Sequence, residues 1–414
     1  MGSTFETYAK IKQKLSRSTY VGIDLCGPSA ALIANFLYSN QSVKKTKRKA
    51  LKLLWRIPNY TNIQCAAGNV ITWNTPRADH KKNVDDLLSK LNNDNGGFQL
   101  AHIPDINRDY KTTFSLRPIW QAWRITQQVK IDKKHQLYAV VALTYCIRSY
   151  ERLLALKVTN KIEKIISYNS SNSPECFLVA VCKKHKIPTF SLQHGLYHDY
   201  STSPPLDVIN YENVVADTLL VWSQFCRNEI IKFYARENRK PDFHMPIAGY
   251  LKTLPDLKEK KLTHSNTQPA LLCLLPRNKI LSSIQLLNVA LEAAEAYQII
   301  VRFHPNSERE EILKHVNTNK LLIDDFSLLE ETLSKNKIEL AIGFNTTSLF
   351  DTLLFNTPCA LFNAADSILS VPELPSFSTS SQLRHILLHQ QPTPEIADKV
   401  LGAKTSRYCE IINT

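Results

Sequence analysis

The chain has 414 residues, 43% hydrophobic and 21% charged, with 51 Lys and Arg against 37 Asp and Glu and a formal net charge of +14. A chain of this length buries substantial cores and is expected to split into two domains, and no internal repeat at solenoid spacing is found. The basic excess favours anionic partners, whether nucleic acid, an acidic membrane surface or phosphorylated substrates.

In chain order, the base is concentrated first in KIKQKLSR (10–17) and SVKKTKRKALKLLWR (42–56). The second mixes Leu and Trp into a cationic run, as a helix lying on a membrane surface does, although a solvated basic helix face has the same composition. TYVGIDL (19–25), NVITW (69–73), KIEKIISY (161–168), IPTFSL (187–192) and TLLVWS (218–223) read as strands, with helices over about 117–130 and 135–157 between them. The stretch 247–269 has little periodicity and reads as a linker. Beyond it the alternation is regular. PALLCLLP (269–276) is a strand, 282–297 a helix, QIIVRF (298–303) a strand, and a helical segment starts at Glu308. A strand at 320–324, a helix at 328–335, a strand at 338–342, a helix from Ser348 and the strand CALF (359–362) follow. This βαβ spacing predicts an α/β chain of two Rossmann-like domains, 1–250 and 251–414, facing each other across a cleft, with the last helix free to return to the first. The nine cysteines show no paired metal-site spacing, and reduced, mostly buried thiols are expected. No stretch approaches the roughly 20 apolar residues that cross a bilayer, and MGSTFETYAKIKQK lacks the apolar core of a signal peptide. A cytoplasmic or peripheral protein is the expectation.

Loops at the carboxyl ends of strands bind ligands in open α/β sheets, so the chemically loaded ones are the candidates. In QHGLYHDY (193–200), Gly195 frees the backbone, and His194, ionising near neutrality by type, is the most usable group, with Gln193 and Asp199 beside it. SYNSSNSPE (167–175) offers Glu175 as a base, while Ser173 and Pro174 read as an ordinary helix start. PRNK (276–279) supplies Arg277, Asn278 and Lys279, and RFHPNS (302–307) supplies His304 with Pro305 stopping its strand. In GFNTTSLFD (343–351), Asn345, Thr346, Thr347 and Ser348 enter a helix, where hydroxyls and free N–H groups suit an anion, though Thr and Ser also cap helices for structural reasons.

These residues resemble the GT-B glycosyltransferases of bacterial surface polysaccharide synthesis, the group of polysialyltransferases, Kdo transferases and CDP-glycerol phosphotransferases. The resemblance runs over about 160–365 through Gln193-His194-Gly195, Ala216-Asp217 with Trp222, Ala248 to Leu251, His304-Pro305, the hydroxyl loop and FNTPCALF (355–362). It implies transfer from a nucleotide-activated donor, bound mainly by the second half, to a glycan or lipid-linked acceptor held by the first. His304 would contact the nucleotide phosphate with Thr347 and Ser348 alongside, and His194 would act as base. UDP-N-acetylglucosamine 2-epimerases share this fold, but their glycine-rich helix entry is replaced here by FNTTS.

The reading expects the donor phosphate to be neutralised by His304, the 346–348 hydroxyls and Arg277 or Lys279, with no metal and no cofactor besides the sugar nucleotide, a CMP-sugar being favoured. The acceptor hydroxyl would lose its proton to His194, or to Glu175 or Asp24. A CDP-alditol phosphotransferase is the alternative within the fold. A nucleic-acid-binding protein, the rival class, predicts aromatics interleaved with base, and only Trp55 and Tyr60 lie near the main run.

Overall fold

In the computed structural model the described residues are 3–39, 41–56, 60–64, 66–74, 77–93, 97–103, 115–200, 204–252, 266–277, 279–305, 307–326, 328–389, 394–404 and 406–413. They form two compact units, Met1–Val221 with Arg227–Ala248 and Arg407–Thr414, and Trp222–Cys226 with Gly249–Ser406.

The first unit begins with α1 (Thr4–Leu15), whose start is closed by Ser3 and Glu6 in a reciprocal capping box. The expected strand over 19–25 is instead a hairpin of β1 (Thr19–Tyr20) and β2 (Ile23–Asp24), outside the main sheet. Val21 and Gly22 both take positive φ, the backbone that a two-residue hairpin turn requires, and this breaks the apolar run in its middle. Then come α2 (Cys26–Leu37), α3 (Val43–Leu53), α4 (Thr61–Gln64), β3 (Gly68–Trp73), α5 (Ala78–Asn93) and β4 (Phe98–His102). The hairpin of α6 (Leu116–Gln128) and α7 (Lys133–Ala155) interrupts the alternation near the expected bounds. It resumes with β5 (Ile162–Ser167), α8 (Glu175–Lys184), β6 (Thr189–Leu192), α9 (Ile209–Glu212), β7 (Thr218–Leu220) and α10 (Gln224–Arg236).

Every pairing in this sheet is parallel, in the order β4-β3-β5-β6-β7. The strand order reverses between β3 and β5, so the crevice beyond their carboxyl ends is where the chain can open to a ligand. On one face, α8 lies on β5 and β6, α7 on α8, and α3 and α6 on α7. Leu143, Phe177, Val179, Val70 and Ile165 fill the space between these layers.

The second unit runs β8 (Asn266–Leu275), α11 (Ile280–Ala293), β9 (Gln298–Phe303), α12 (Arg309–Leu313), β10 (Leu321–Ile323), α13 (Leu329–Lys335) and β11 (Asn336–Gly343). It continues with α14 (Ser348–Leu353), β12 (Cys359–Phe362), β13 (Ser376–Phe377), α15 (Ser380–His389) and α16 (Pro394–Leu401). Its parallel sheet has the order β10-β9-β8-β11-β12-β13, reversing between β8 and β11. Strands covered on both faces read as continuous apolar runs, as in Ala270–Leu275 and Leu340–Ile342. Gly343, where β11 ends, is pressed so close that an added Cβ would lie 2.8 Å from the Leu274 carbonyl oxygen on β8. The final helix, α17 (Tyr408–Asn413), belongs to the first unit, where Lys164 Nζ donates to the Ile412 carbonyl.

The linker reading falls mostly on 253–265, outside the described residues, and β8 starts at Asn266, inside the stretch read as linker. The eight described cysteines form no disulfide among the described residues, and all are buried except Cys409. Among the described residues no helix is long and apolar enough to cross a membrane.

Candidate functional site

In the first unit, the loops after β3, β5 and β6 bring one cluster together. His194 stands two residues beyond β6, and its half-buried ring lies between Tyr168 and Tyr197, with centroids 5.6 and 5.9 Å away. Tyr168, the first residue beyond β5, in turn packs on His80 at 4.7 Å. Asn169 fixes the imidazole. Its Oδ1 accepts the Ser171 N–H at 2.9 Å, so its Nδ2 is turned toward His194 Nε2 and Asn210 Oδ1, each at 3.3 Å. An N–H aimed at Nε2 leaves that nitrogen as the acceptor and puts the ring proton on Nδ1, 3.1 Å from the Tyr197 hydroxyl. Burial lowers the His194 pKa to about 4, the Arg77 charge adds to this, and a bond to the Leu192 backbone opposes it. His194 is therefore neutral at physiological pH, with its lone pair on Nε2.

Glu175 lies beneath this loop, fully buried, with Oε2 accepting the Asn169 N–H at 2.7 Å. It props the residue that orients His194 and does not face an acceptor, which corrects its reading as a base. Ser173 is not the helix cap either. The Ser173-Pro174 bond is cis, Pro174 holds the cap position, and α8 begins at Glu175 without a side-chain cap.

Other expected residues have structural roles. Asp24 receives the N–H groups of Cys26 at 2.9 Å and Gly27 at 3.0 Å, so its carboxylate holds the start of α2 and not an acceptor. The buried Gln193 amide donates to the Gly195 carbonyl at 2.8 Å and pins the turn. Asp199 pairs with Arg236 of α10, its N–H donating to Glu229 at 2.9 Å, and so belongs to the α10 side of the loop.

The stretch TPRADH (75–80) was missed, although it follows a strand and carries three charged or titratable side chains. Arg77 grips Asp79 through Nε at 3.0 Å and a terminal nitrogen at 2.5 Å. Burial raises the Asp79 pKa, but the Arg77 bond, the His80 charge and the Arg77 charge outweigh it and bring it below the usual value. Asn74 donates to the Ser173 carbonyl at 2.9 Å, joining the β3 and β5 loops at the strand-order reversal.

In the second unit, Arg277 and Lys279 follow β8, His304 follows β9, and Asn345 to Ser348 follow β11. The His304 N–H donates to the Leu275 carbonyl at 3.2 Å, so it sits against the end of β8, with its half-buried side chain followed by the exposed Pro305. Arg277 is exposed, with no carboxylate in salt-bridge range among the described residues, and Asn278 lies outside those residues. Lys279 instead pairs with Asp366 at 2.9 Å, and Ser282 donates to the same carboxylate at 2.6 Å. Burial raises Asp366, but these two partners outweigh it and bring its pKa below the usual value.

Asn345, at φ +50°, accepts the N–H groups of Ile368 and Leu369 and donates to the Asp366 carbonyl. Its amide therefore shapes the next loop and is not offered to a donor, which corrects that expectation. Thr346, Thr347 and Ser348 remain half-buried beside the reversal between β8 and β11. The helix they enter, α14, has only six residues, so its dipole is weak and the run offers mainly hydroxyls. Arg302 pairs with Asp324 at 2.6 Å.

No protein-family model and no curated protein matches the chain. Among solved structures, the UDP-GlcNAc 2-epimerase of Methanocaldococcus jannaschii, in complex with UDP-GlcNAc and UDP, is similar at TM-score 0.50 and 13% identity, covering 81% of this chain and 97% of that one. A glycotransferase of kitacinnamycin has TM-score 0.48, 9% identity and coverage of 84% and 99%. The wall teichoic acid polymerase TagF has TM-score 0.46, 10% identity and coverage of 95% and 97%. At such identities the likeness concerns architecture alone, and with its two parallel Rossmann-like sheets this chain has the α/β GT-B fold.

Proposed function

We propose that this protein is a glycosyltransferase that moves a sugar from a nucleotide-activated donor to a hydroxyl of a growing surface glycan or a lipid-linked acceptor. The observation that carries the reading is the His194 arrangement, a neutral imidazole with Nε2 kept as acceptor by Asn169 and Nδ1 facing Tyr197. An unprotonated imidazole suits removal of a hydroxyl proton once the acceptor hydroxyl takes the place of the Asn169 amide at the Nε2 lone pair. The acceptor oxygen bonds to the sugar carbon, its proton passes to Nε2, and the bond from that carbon to the donor phosphate breaks.

The departing phosphate oxygen carries the negative charge. His304, Arg277 and the hydroxyls of Thr346, Thr347 and Ser348 are the groups assigned to it, because they stand at the ends of β8, β9 and β11 around a strand-order reversal. Lys279 acts on this charge only if the donor displaces Asp366 from it. A CMP-sugar is the favoured donor, and a CDP-alditol is the alternative within the same fold.

Thermal shift with CMP, CDP, UDP, GDP and TDP tests the donor, since a ligand that binds only the folded chain raises its melting temperature. A rise with CMP or CDP that is lost in His304→Ala supports the reading. No rise with any of the five, or epimerisation of UDP-GlcNAc without transfer, overturns it.

A further inference from the structure

α3 and α6 are both seated on α7. α3 buries Ala50 against Tyr138 and Val141 of α7, with Leu53 and Leu54 packed alongside. The faces they turn outward are unlike an ordinary solvated surface. On α6, Leu116 is 69% exposed, Trp120 56% and Trp123 49%. Their spacing of i, i+4 and i+7 lines them on one stripe opposite the buried Pro118, Ala122 and Thr126. Arg117 and Arg124 flank that stripe, the Arg124 guanidinium lying 5.6 Å from the Trp120 ring centre. On α3 and the turn after it, Val43 (66%), Leu51 (43%) and Trp55 (53%) are exposed among Lys44, Lys47 and Arg48. No acidic residue occurs in 42–56 or in 116–128.

We propose that the outward faces of α3 and α6 dock on a membrane surface rich in anionic lipid. The charge is complementary, and the apolar residues select the occupant. Indole rings settle at the level of lipid headgroups, and leucine and valine gain by entering the acyl boundary, whereas they gain little by stacking on bases. Lysine and arginine stems reach past this apolar edge to the headgroup phosphates. The inference stands apart from the transferase reading, because vesicle binding is measured without turnover.

The full chain is sedimented with vesicles of phosphatidylcholine alone or of phosphatidylcholine with phosphatidylglycerol, at about 0.1 M salt, where exposed charges more than about 10 Å apart are screened. Retention is expected on the anionic vesicles and not on the neutral ones. Trp120→Ala with Trp123→Ala should weaken it about tenfold, and Lys44→Gln with Lys47→Gln and Arg48→Gln should reduce its salt dependence. An unchanged circular dichroism spectrum confirms that these surface variants fold. Equal retention of the native chain and the tryptophan variant, absence of retention, or release of the vesicles by random single-stranded RNA would overturn the proposal, the last in favour of a nucleic-acid surface.

Discussion

Asn169 decides which nitrogen of His194 stays unprotonated, and its own direction is decided by the Ser171 N–H. Asn169→Asp exchanges the amide donor for a carboxylate beside Nε2. An anion there favours the imidazolium, so the acid limb of the pH–rate profile should lie about one to two units higher than in the native chain. Turnover measured from pH 4 to 9 checks this, and a mere structural lesion would lower the rate without moving the limb. In the second unit, His304→Ala should cut turnover at least about a hundredfold and leave the melting temperature of the unliganded protein within a few degrees. A donor-binding role for His304 requires both outcomes together.

Among the elements, α1, α9 and α10 are tied by a single buried carboxylate. Glu212 accepts from the Tyr8 hydroxyl at 2.5 Å and meets Lys12 at 3.1 Å and Arg239, just beyond α10, at 2.8 Å. Glu212→Ala removes the carboxylate from all three groups and leaves Lys12 only the backbone carbonyl of residue 212, to which it donates at 2.9 Å. Because Lys12 and Arg239 keep some solvent contact, the cost should fall toward the lower end for a broken buried pair, about 3 kcal/mol in urea unfolding. The elements themselves were unevenly legible. β9 and β12 match their expected bounds, since the β-branched core of QIIVRF and the four-residue apolar run CALF, each followed by a polar turn, admit little else. β4, FQLAH, was not foreseen because its alternation is short and weak, and it is an edge strand held mainly by β3. The run over 19–25 failed for a different reason, since two left-handed residues in its middle are a matter of backbone geometry that apolar content does not reveal.

For the molecule as a whole, the α/β class was readable from the alternation, and the loops after β6, β9 and β11 from their residue types. The order of strands within each sheet was not, because order is fixed by which buried faces pack and leaves no local mark. That is why TPRADH was passed over. Only the adjacency of β3 and β5 shows that Asn74 lies beside Ser173 and His80 beside Tyr168.

His194 and His198 are both brought down to about 4, in each case chiefly by burial. Their unfolded values lie near 6.5, so the unfolded chain takes up protons first as the pH falls. The stability they contribute is complete above about pH 6.5 and is lost toward pH 4, on the order of 3 kcal/mol for the more deeply buried His198. Urea unfolding at pH 7 and pH 4.5 checks the sign, and equal stability at the two would contradict it.

Gly343 carries a consequence for this same architecture. Where β8 and β11 part company, the gap is sealed by a hydrogen atom, because a methyl group would strike the Leu274 carbonyl. Alanine at that position would act as a wedge, prising apart the two strand tips and spreading the loops they carry. The proposed nucleotide donor would lose its cradle although no residue assigned to touch it had been altered.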